Sequence, residues 1–299
     1  MIKNCHPPML DLFIFEEIYI MKKILLLLIA SLYYNACLAN FVQERYDFDN
    51  FKGTPLWALA QAVRTNDGKE VKLILKSKKL DVDFKDSKFQ QTLLALSIQN
   101  KRPEAFIELL KAGADPNIFL GKLKDETALT YAINTTTDCD LYYVDNLLKH
   151  GANPNLEIKN PTPGYFFESH LPLILSIYQD VNCLKLIQLL VDNGADINCH
   201  YKQGFSNRYI GVIDECLLHQ NMKALKYFVI QKQIKIPDTL TTVARNEKGQ
   251  RVYSLKEILR SKDFELIDFE DKNLGMKFDK HEDRDDRDEI LAYLDKIKK

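Results

Sequence analysis

Charge of one sign is what this chain most clearly lacks. Its 41 Lys and Arg stand against 42 Asp and Glu, leaving −1 over 299 residues. No global field therefore gathers nucleic acid or an anionic membrane, although local patches stay open. Glycine and proline are few, 11 and 10, which excludes collagen-like and low-complexity classes. Long hydrophobic runs are missing too: Ile24–Ala30, extended by Ser31 and Leu32, is too short to span a bilayer as a stable helix. Cysteine is sparse. With Cys5 and Cys37 set aside in the leader, Cys139, Cys183, Cys199 and Cys216 remain, too few for a disulfide framework at this length. The plain reading of each is a small buried apolar side chain. Catalytic signatures are absent as well: no Gly-x-Ser-x-Gly, P-loop, His-Glu-x-x-His or Gly-x-Gly-x-x-Gly occurs. The expectation is a protein that is not an enzyme, with no catalytic residues, no metal and no cofactor.

What is present begins with a leader. Met21-Lys22-Lys23 is a short positive segment, the apolar run follows, and Ala36-Cys37-Leu38-Ala39 supplies small residues for cleavage after Ala39. This is the pattern of a secretory signal peptide over 21–39. A bacterial lipoprotein with Cys37 lipidated is the minor alternative, and Tyr34 stands where such proteins usually carry Leu. Asp11, Glu16 and Glu17 precede the leader, so Met21 is expected to be the true start and 1–20 an upstream over-extension. The expected location is the periplasm, with no membrane span in the mature chain.

Three segments repeat: Lys111-Ala-Gly-Ala-Asp-Pro-Asn117, Lys149-His-Gly-Ala-Asn-Pro-Asn155 and Asp192-Asn-Gly-Ala-Asp-Ile-Asn198. Upstream of them, Thr92 with Leu94, Thr127 with Leu129 and Ala132, and Pro172 with Leu173 recur at matching positions. Spacings of this order mean stacked supersecondary units. The pattern resembles the ankyrin repeat, whose units open on Thr-Pro-Leu-His-x-Ala and close on Leu-Leu-x-x-Gly-Ala-Asp-x-Asn. The resemblance covers 53–238 and implies an all-α, ankyrin-repeat solenoid of about five helix-turn-helix units. The histidine slots hold Ala95, Thr130 and Ile174, and the first and fifth units lack the Gly-Ala-Asp ending. Atypical end units are expected of caps. The remainder, 239–299, is read as a helical C-terminal capping segment from the spacing of Leu255, Ile258 and Leu259 and of Ile290, Leu291, Leu294 and Ile297.

The apolar spacing agrees. Leu94 with Ser97, Leu129 with Ala132 and Leu173 with Ser176 give first helices a small residue for close approach. Phe106, Leu109 and Leu110, then Val144, Leu147 and Leu148, Ile187, Leu190 and Val191, and Leu225, Phe228 and Val229 give second helices an apolar face. Such a hairpin cannot bury that face alone and needs a neighbour. The glycines closing the units are expected to be left-handed helix ends.

Insertions mark the candidate sites. Cys139 and Cys183 each fall in an inserted loop just before a second helix. Adjacent units bring such loops together, so a Cys139–Cys183 disulfide is expected in an exported chain. Aromatic residues crowd the inter-unit hairpins: Tyr165, Phe166 and Phe167 in one, Tyr201, Phe205 and Tyr209 in the next. They read either as local core folded back on the stack or as partner-binding anchors. Arg208, Lys122 and Lys124 would form a polar rim. Cys199-His200 with Cys216 and His219 lacks the two clean pairs of a structural zinc site, and the acidic run at 281–289 lacks the glycine and spacing of a calcium loop.

The resemblance implies a protein–protein interaction module that binds through its concave face and hairpins. Exported bacterial relatives of this look often serve as immunity proteins for secreted toxic effectors. The alternative is an envelope scaffold, structural or lipid-anchored, with no toxin partner.

Overall fold

In the computed structural model, the described residues are 31, 44–122, 126–156, 171–179, 183–202, 209–238, 240, 243–245, 251–252, 254–260, 263–267, 273–277 and 281–297. The expected leader lies outside them except for Ser31. Two compact units divide the chain, Met1–Asp47 and Phe48–Lys299. In the first, the Arg45 guanidinium lies over the Tyr46 ring at 5.6 Å. The second is mostly helical and is described below.

Five helix pairs follow one another: α1 (Trp57–Arg64) with α2 (Gly68–Ser77), α3 (Leu93–Gln99) with α4 (Pro103–Lys111), α5 (Ala128–Thr135) with α6 (Tyr142–Lys149), α7 (Pro172–Gln179) with α8 (Leu184–Asp192), and α9 (Val212–Leu218) with α10 (Met222–Lys226). The tenth helix runs on into a π turn, Tyr227–Gln231. Within each pair the helices touch, and first helices also touch in succession, α1 to α3, α5, α7 and α9. Second helices do the same from α2 to α4 to α6, and α8 meets α10.

Burial follows this layering. Every residue from Leu93 to Ile98 of α3 is buried, and so is every residue from Ala128 to Ile133 of α5. A helix apolar all round belongs between neighbours. The small polar residues that let these helices approach satisfy themselves locally: Ser97 Oγ donates to Leu94 O at 2.6 Å, Ser176 Oγ to Leu173 O at 2.7 Å. Phe106, Leu109, Val144, Leu147, Ile187, Leu190, Leu225 and Phe228 are buried as the spacing predicts, while Val191 is only half-buried.

Helix starts are made by side chains. Thr92 accepts from Ala95 N, and Thr127 forms a capping box with Thr130. Pro103 opens α4 without a cap of its own. The previous pair supplies it: Asn66, at φ 56°, turns its Oδ1 to Glu104 N (3.0 Å) and Ala105 N (3.1 Å). Helix ends are made by glycine. Gly113, Gly151 and Gly194 sit at φ 91°, 87° and 90°, and each donates with the following alanine to carbonyls of the last turn. A Cβ there would meet nothing within 4 Å, so the demand for glycine is purely one of backbone conformation.

Beyond the pairs the structure corrects the expected all-helical cap. Strands β1 (His200–Lys202) and β2 (Tyr209–Gly211) pair as a separate ribbon, while β3 (Val243–Arg245), β4 (Arg251–Val252), β5 (Asp263–Ile267) and β6 (Asn273–Lys277) form an antiparallel sheet in the order β4-β3-β5-β6. The reason is visible in period-two alternation: Asp263-Phe-Glu-Leu266 and Asn273-Leu-Gly-Met-Lys277 alternate polar or small with apolar residues, which suits a strand and not a helix. The two helices are where spacing put them, α11 (Leu255–Arg260) and α12 (His281–Ile297). The latter packs on α10, burying Ile290 and Leu294, and Lys226 pairs with Asp286 (2.9 Å) and Glu289 (2.8 Å). Among the described residues no helix is long and apolar enough to cross a membrane.

Candidate functional site

The hairpins between pairs are tied into a ladder. Each turn repeats one local bond, in which an Asp or Asn carboxyl or amide oxygen takes the N–H two residues on: Asp81 from Asp83, Asp115 from Asn117, Asn153 from Asn155, Asp196 from Asn198. In the first three turns the residue that closes this bond also reaches the next turn. Asn117 donates from Nδ2 to Gly151 O (2.9 Å) and accepts from Asn153 N (2.8 Å); Asn155 does the same with Gly194 O (2.7 Å) and Asp196 N (2.8 Å). Asp83 accepts from Asp115 N at 2.9 Å but, as a carboxylate, has nothing to donate to Gly113 O. The first unit thus has the same ending in Asp81-Val82-Asp83, a match hidden by the missing Gly-Ala.

The first hairpin is built on a buried carboxylate. Asp86 is fully buried, and its two oxygens accept from Phe89 N and Gln91 N, both at 2.6 Å. Gln90 O then takes Gly121 N (3.2 Å), and Lys85 Nζ reaches Phe119 O (3.3 Å), joining this hairpin to the next. Lys122 is exposed at the edge of that second hairpin. Lys124 lies outside the described residues, as do Tyr165, Phe166 and Phe167 of the third hairpin and Phe205 and Arg208 of the fourth.

The fourth hairpin resolves its tyrosines by alternation. Strands β1 (His200–Lys202) and β2 (Tyr209–Gly211) pair antiparallel, Tyr201 opposite Ile210 and Lys202 opposite Tyr209. Opposite residues share a face and neighbours do not. Tyr201 accordingly lies with buried Ile210 against the helices, where its hydroxyl donates to Glu215 Oε1 at 2.6 Å. Tyr209 points the other way, 56% exposed, with its ring edge-to-face on His200 at 5.4 Å.

Glu215 is the residue that spacing missed. It is only 4% exposed inside the apolar helix α9. His219 Nε2 lies 3.2 Å from its second oxygen, close enough for an ion pair though off the line of a hydrogen bond. The His219 ring in turn meets Tyr178 of α7 edge-to-face at 4.7 Å. Its only sequence signal is Asp214-Glu215 interrupting an apolar run. The Tyr201–Glu215–His219–Tyr178 chain binds the hairpin to two first helices.

Cys139 and Cys183 are joined in a disulfide, with Cα atoms 5.5 Å apart across a separation of 44 residues. It ties the α5–α6 turn, where Asp138 and Cys139 are both left-handed, to the start of α8. Beside it, Ile98, Lys101, Pro103, Thr137, Asp140 and Tyr142 line an open groove of about 500 Å³. Tyr143 at its edge is pushed up to about 12 by burial and by its neighbours Tyr142 and Asp140, so its phenol stays protonated. Cys216 is fully buried and its thiol lies well above its ordinary range; burial and the Asp196 charge push Cys199 up to about 12. Neither thiol is a free thiolate nucleophile at neutral pH. Among the described residues no three His, Cys, Asp or Glu side chains gather to hold a metal ion. Neither a protein-family model nor a curated protein matches the chain.

Proposed function

We propose that the five helix pairs are ankyrin-type repeats and that the chain is a protein-binding module working outside the cytoplasm. The observation that carries this reading is the Asn117 and Asn155 ladder, which ties each hairpin to its neighbour and holds them in register as a preorganised surface. Preorganisation lowers the ordering cost of association. Tyr209, exposed on the outward face of the last hairpin, is the described anchor of that surface, with Lys122 on its rim. Interface energies concentrate in such aromatic residues. The Cys139–Cys183 disulfide supports an oxidising compartment, consistent with the leader pattern over 21–39.

The partner class favoured by the resemblance is a secreted toxic effector, held inactive by this chain as an immunity protein. The test is co-purification of the chain from envelope extracts after cross-linking, with Tyr209→Ala as the comparison. A partner enriched by the native chain and weakened about tenfold or more by Tyr209→Ala supports the reading. Equal recovery with both chains, or none with either, refutes it. Fractionation with Cys37→Ala separates the lipid-anchored scaffold: loss of membrane association in that variant alone would favour the anchor.

A further inference from the structure

Several lysines elsewhere have carboxylate partners. Lys111 pairs with Glu108, Lys149 with Asp145, Lys226 with Asp286 and Glu289, Lys232 with Asp192. Helix α2 and the two residues that follow it gather five lysines without such partners. Lys69, Lys72, Lys76, Lys78 and Lys79 are all exposed, and none is in an ion pair with a described residue. In their midst Leu73 is 60% exposed, the most exposed large hydrophobic side chain among the described residues. Lys69, Leu73 and Lys76 fall at i, i+4 and i+7, one stripe of the helix, with Lys72 beside it. The opposite face, Val71 and Ile74, is buried. The five lysines outnumber the acids of the same stretch, Asp67, Glu70 and Asp81. Glu70 lies on the helix itself and Asp67 caps it, while on the neighbouring α4 Glu108 is already paired with Lys111 and Glu104 sits against Gly68 at the start of α2.

We infer that this face of α2 is an interfacial binding surface for anionic phospholipid. Three features select lipid over an acidic protein. The charges are all lysine, compact point charges suited to a diffuse anionic layer, and not arginine forks that match shaped carboxylates. The apolar element is a projecting leucine, which enters a headgroup layer, whereas a protein hot spot calls for a pocket or a large aromatic anchor. The cluster is local on a chain of net charge −1, so attraction is confined to one orientation of the molecule. Lysine headgroups would meet lipid phosphates while Leu73 buries at the acyl boundary. The inference rests on α2 and its lysines alone and does not depend on the role proposed for the hairpins.

Co-sedimentation of the full chain with phosphatidylglycerol–phosphatidylcholine vesicles, against phosphatidylcholine alone, tests this. Binding is expected to the anionic vesicles only and to weaken as salt rises. Each lysine near such a surface is worth about fivefold, so Lys69→Glu, Lys72→Glu and Lys76→Glu together should weaken binding by about a hundredfold or more. Leu73→Asp should weaken it alone, and replacing the three lysines by arginine should preserve it. The leader is common to every variant and cancels in these comparisons. Unchanged thermal melting certifies the fold, and Leu73→Asp serves alone if the triple variant fails to fold. Absence of binding to anionic vesicles at low salt, or binding indifferent to these substitutions, overturns the inference. So does tighter binding to soluble polyglutamate than to the vesicles, which would assign the surface to an acidic protein.

Discussion

Asp83→Asn should stabilise the protein. Asp83 occupies the slot that Asn117 and Asn155 fill in later units, where the side chain accepts one backbone N–H and donates to the next unit's glycine carbonyl. Asp83 makes only the first of these bonds, to Asp115 N. Burial raises its carboxyl above the ordinary value; the Asp115 N–H works against that, and the charges of Asp115 and Asp81 add to it. The ionised form is therefore disfavoured in the folded protein. An amide removes the like-charge repulsion and adds a donor for Gly113 O, a hydrogen bond of about 0.5–1.5 kcal/mol, partly offset by a weaker bond to Asp115 N. The net gain should be about 1 kcal/mol at neutral pH, seen as a rise of roughly 2–4 °C in Tm for a domain of this size. The sign with pH is fixed. A carboxyl raised in the native state binds a proton on folding, so its stabilising contribution is present below its unfolded pKa and is lost as pH rises through the folded one. The gain from Asp83→Asn should accordingly shrink in acid, where protonated Asp83 can itself donate. Urea unfolding of both chains from mildly acidic to neutral pH reads this directly. Destabilisation by the substitution, or a gain that does not change with pH, refutes the reasoning.

Other outcomes follow from single contacts. Gly113→Ala should cost about 1–2 kcal/mol in chemical unfolding through backbone strain alone, since its Cβ meets no atom, and Gly113→Val should cost more. Replacing Cys139 and Cys183 by serine should lower stability by about 2–4 kcal/mol for a closed loop of this length, and mass mapping without reductant should recover the two cysteines as one linked peptide pair. Tyr201→Phe leaves a buried Glu215 oxygen without its donor and should cost about 1.5–3 kcal/mol in urea unfolding, with faster amide exchange across the β1–β2 hairpin.

Much of the helical part was legible because its signals are local. Gly113, Gly151 and Gly194 mark helix ends by a conformation only glycine adopts readily, and Leu94 with Ser97 or Leu129 with Ala132 mark packing faces by spacing. The sheet at 243–277 is hard to read in sequence because its alternation around Phe264 and Leu274 is short and a stretch of helical spacing, 255–259, lies between its strands. The first unit's ending was hidden because its hydrogen bonds need only Asp81 and Asp83, without the glycine that advertises the others. Glu215 was illegible for a different reason. A carboxylate inside an apolar helix has meaning only through Tyr201 and His219, and Tyr201 arrives from a separate strand. Cys139 and Cys183 could be brought together in advance because two loops occupy the same place in successive units.

The covalent tie has a consequence for proteolytic wear. Any protease cut between Cys139 and Cys183, including one in the long 157–170 insertion, leaves two fragments that cannot drift apart. A nick between the third and fourth pairs leaves all five pairs whole, and the damage would register on a denaturing gel only after a thiol was added. The longest of the sequence insertions between pairs is thus the one whose breakage the molecule is best built to survive.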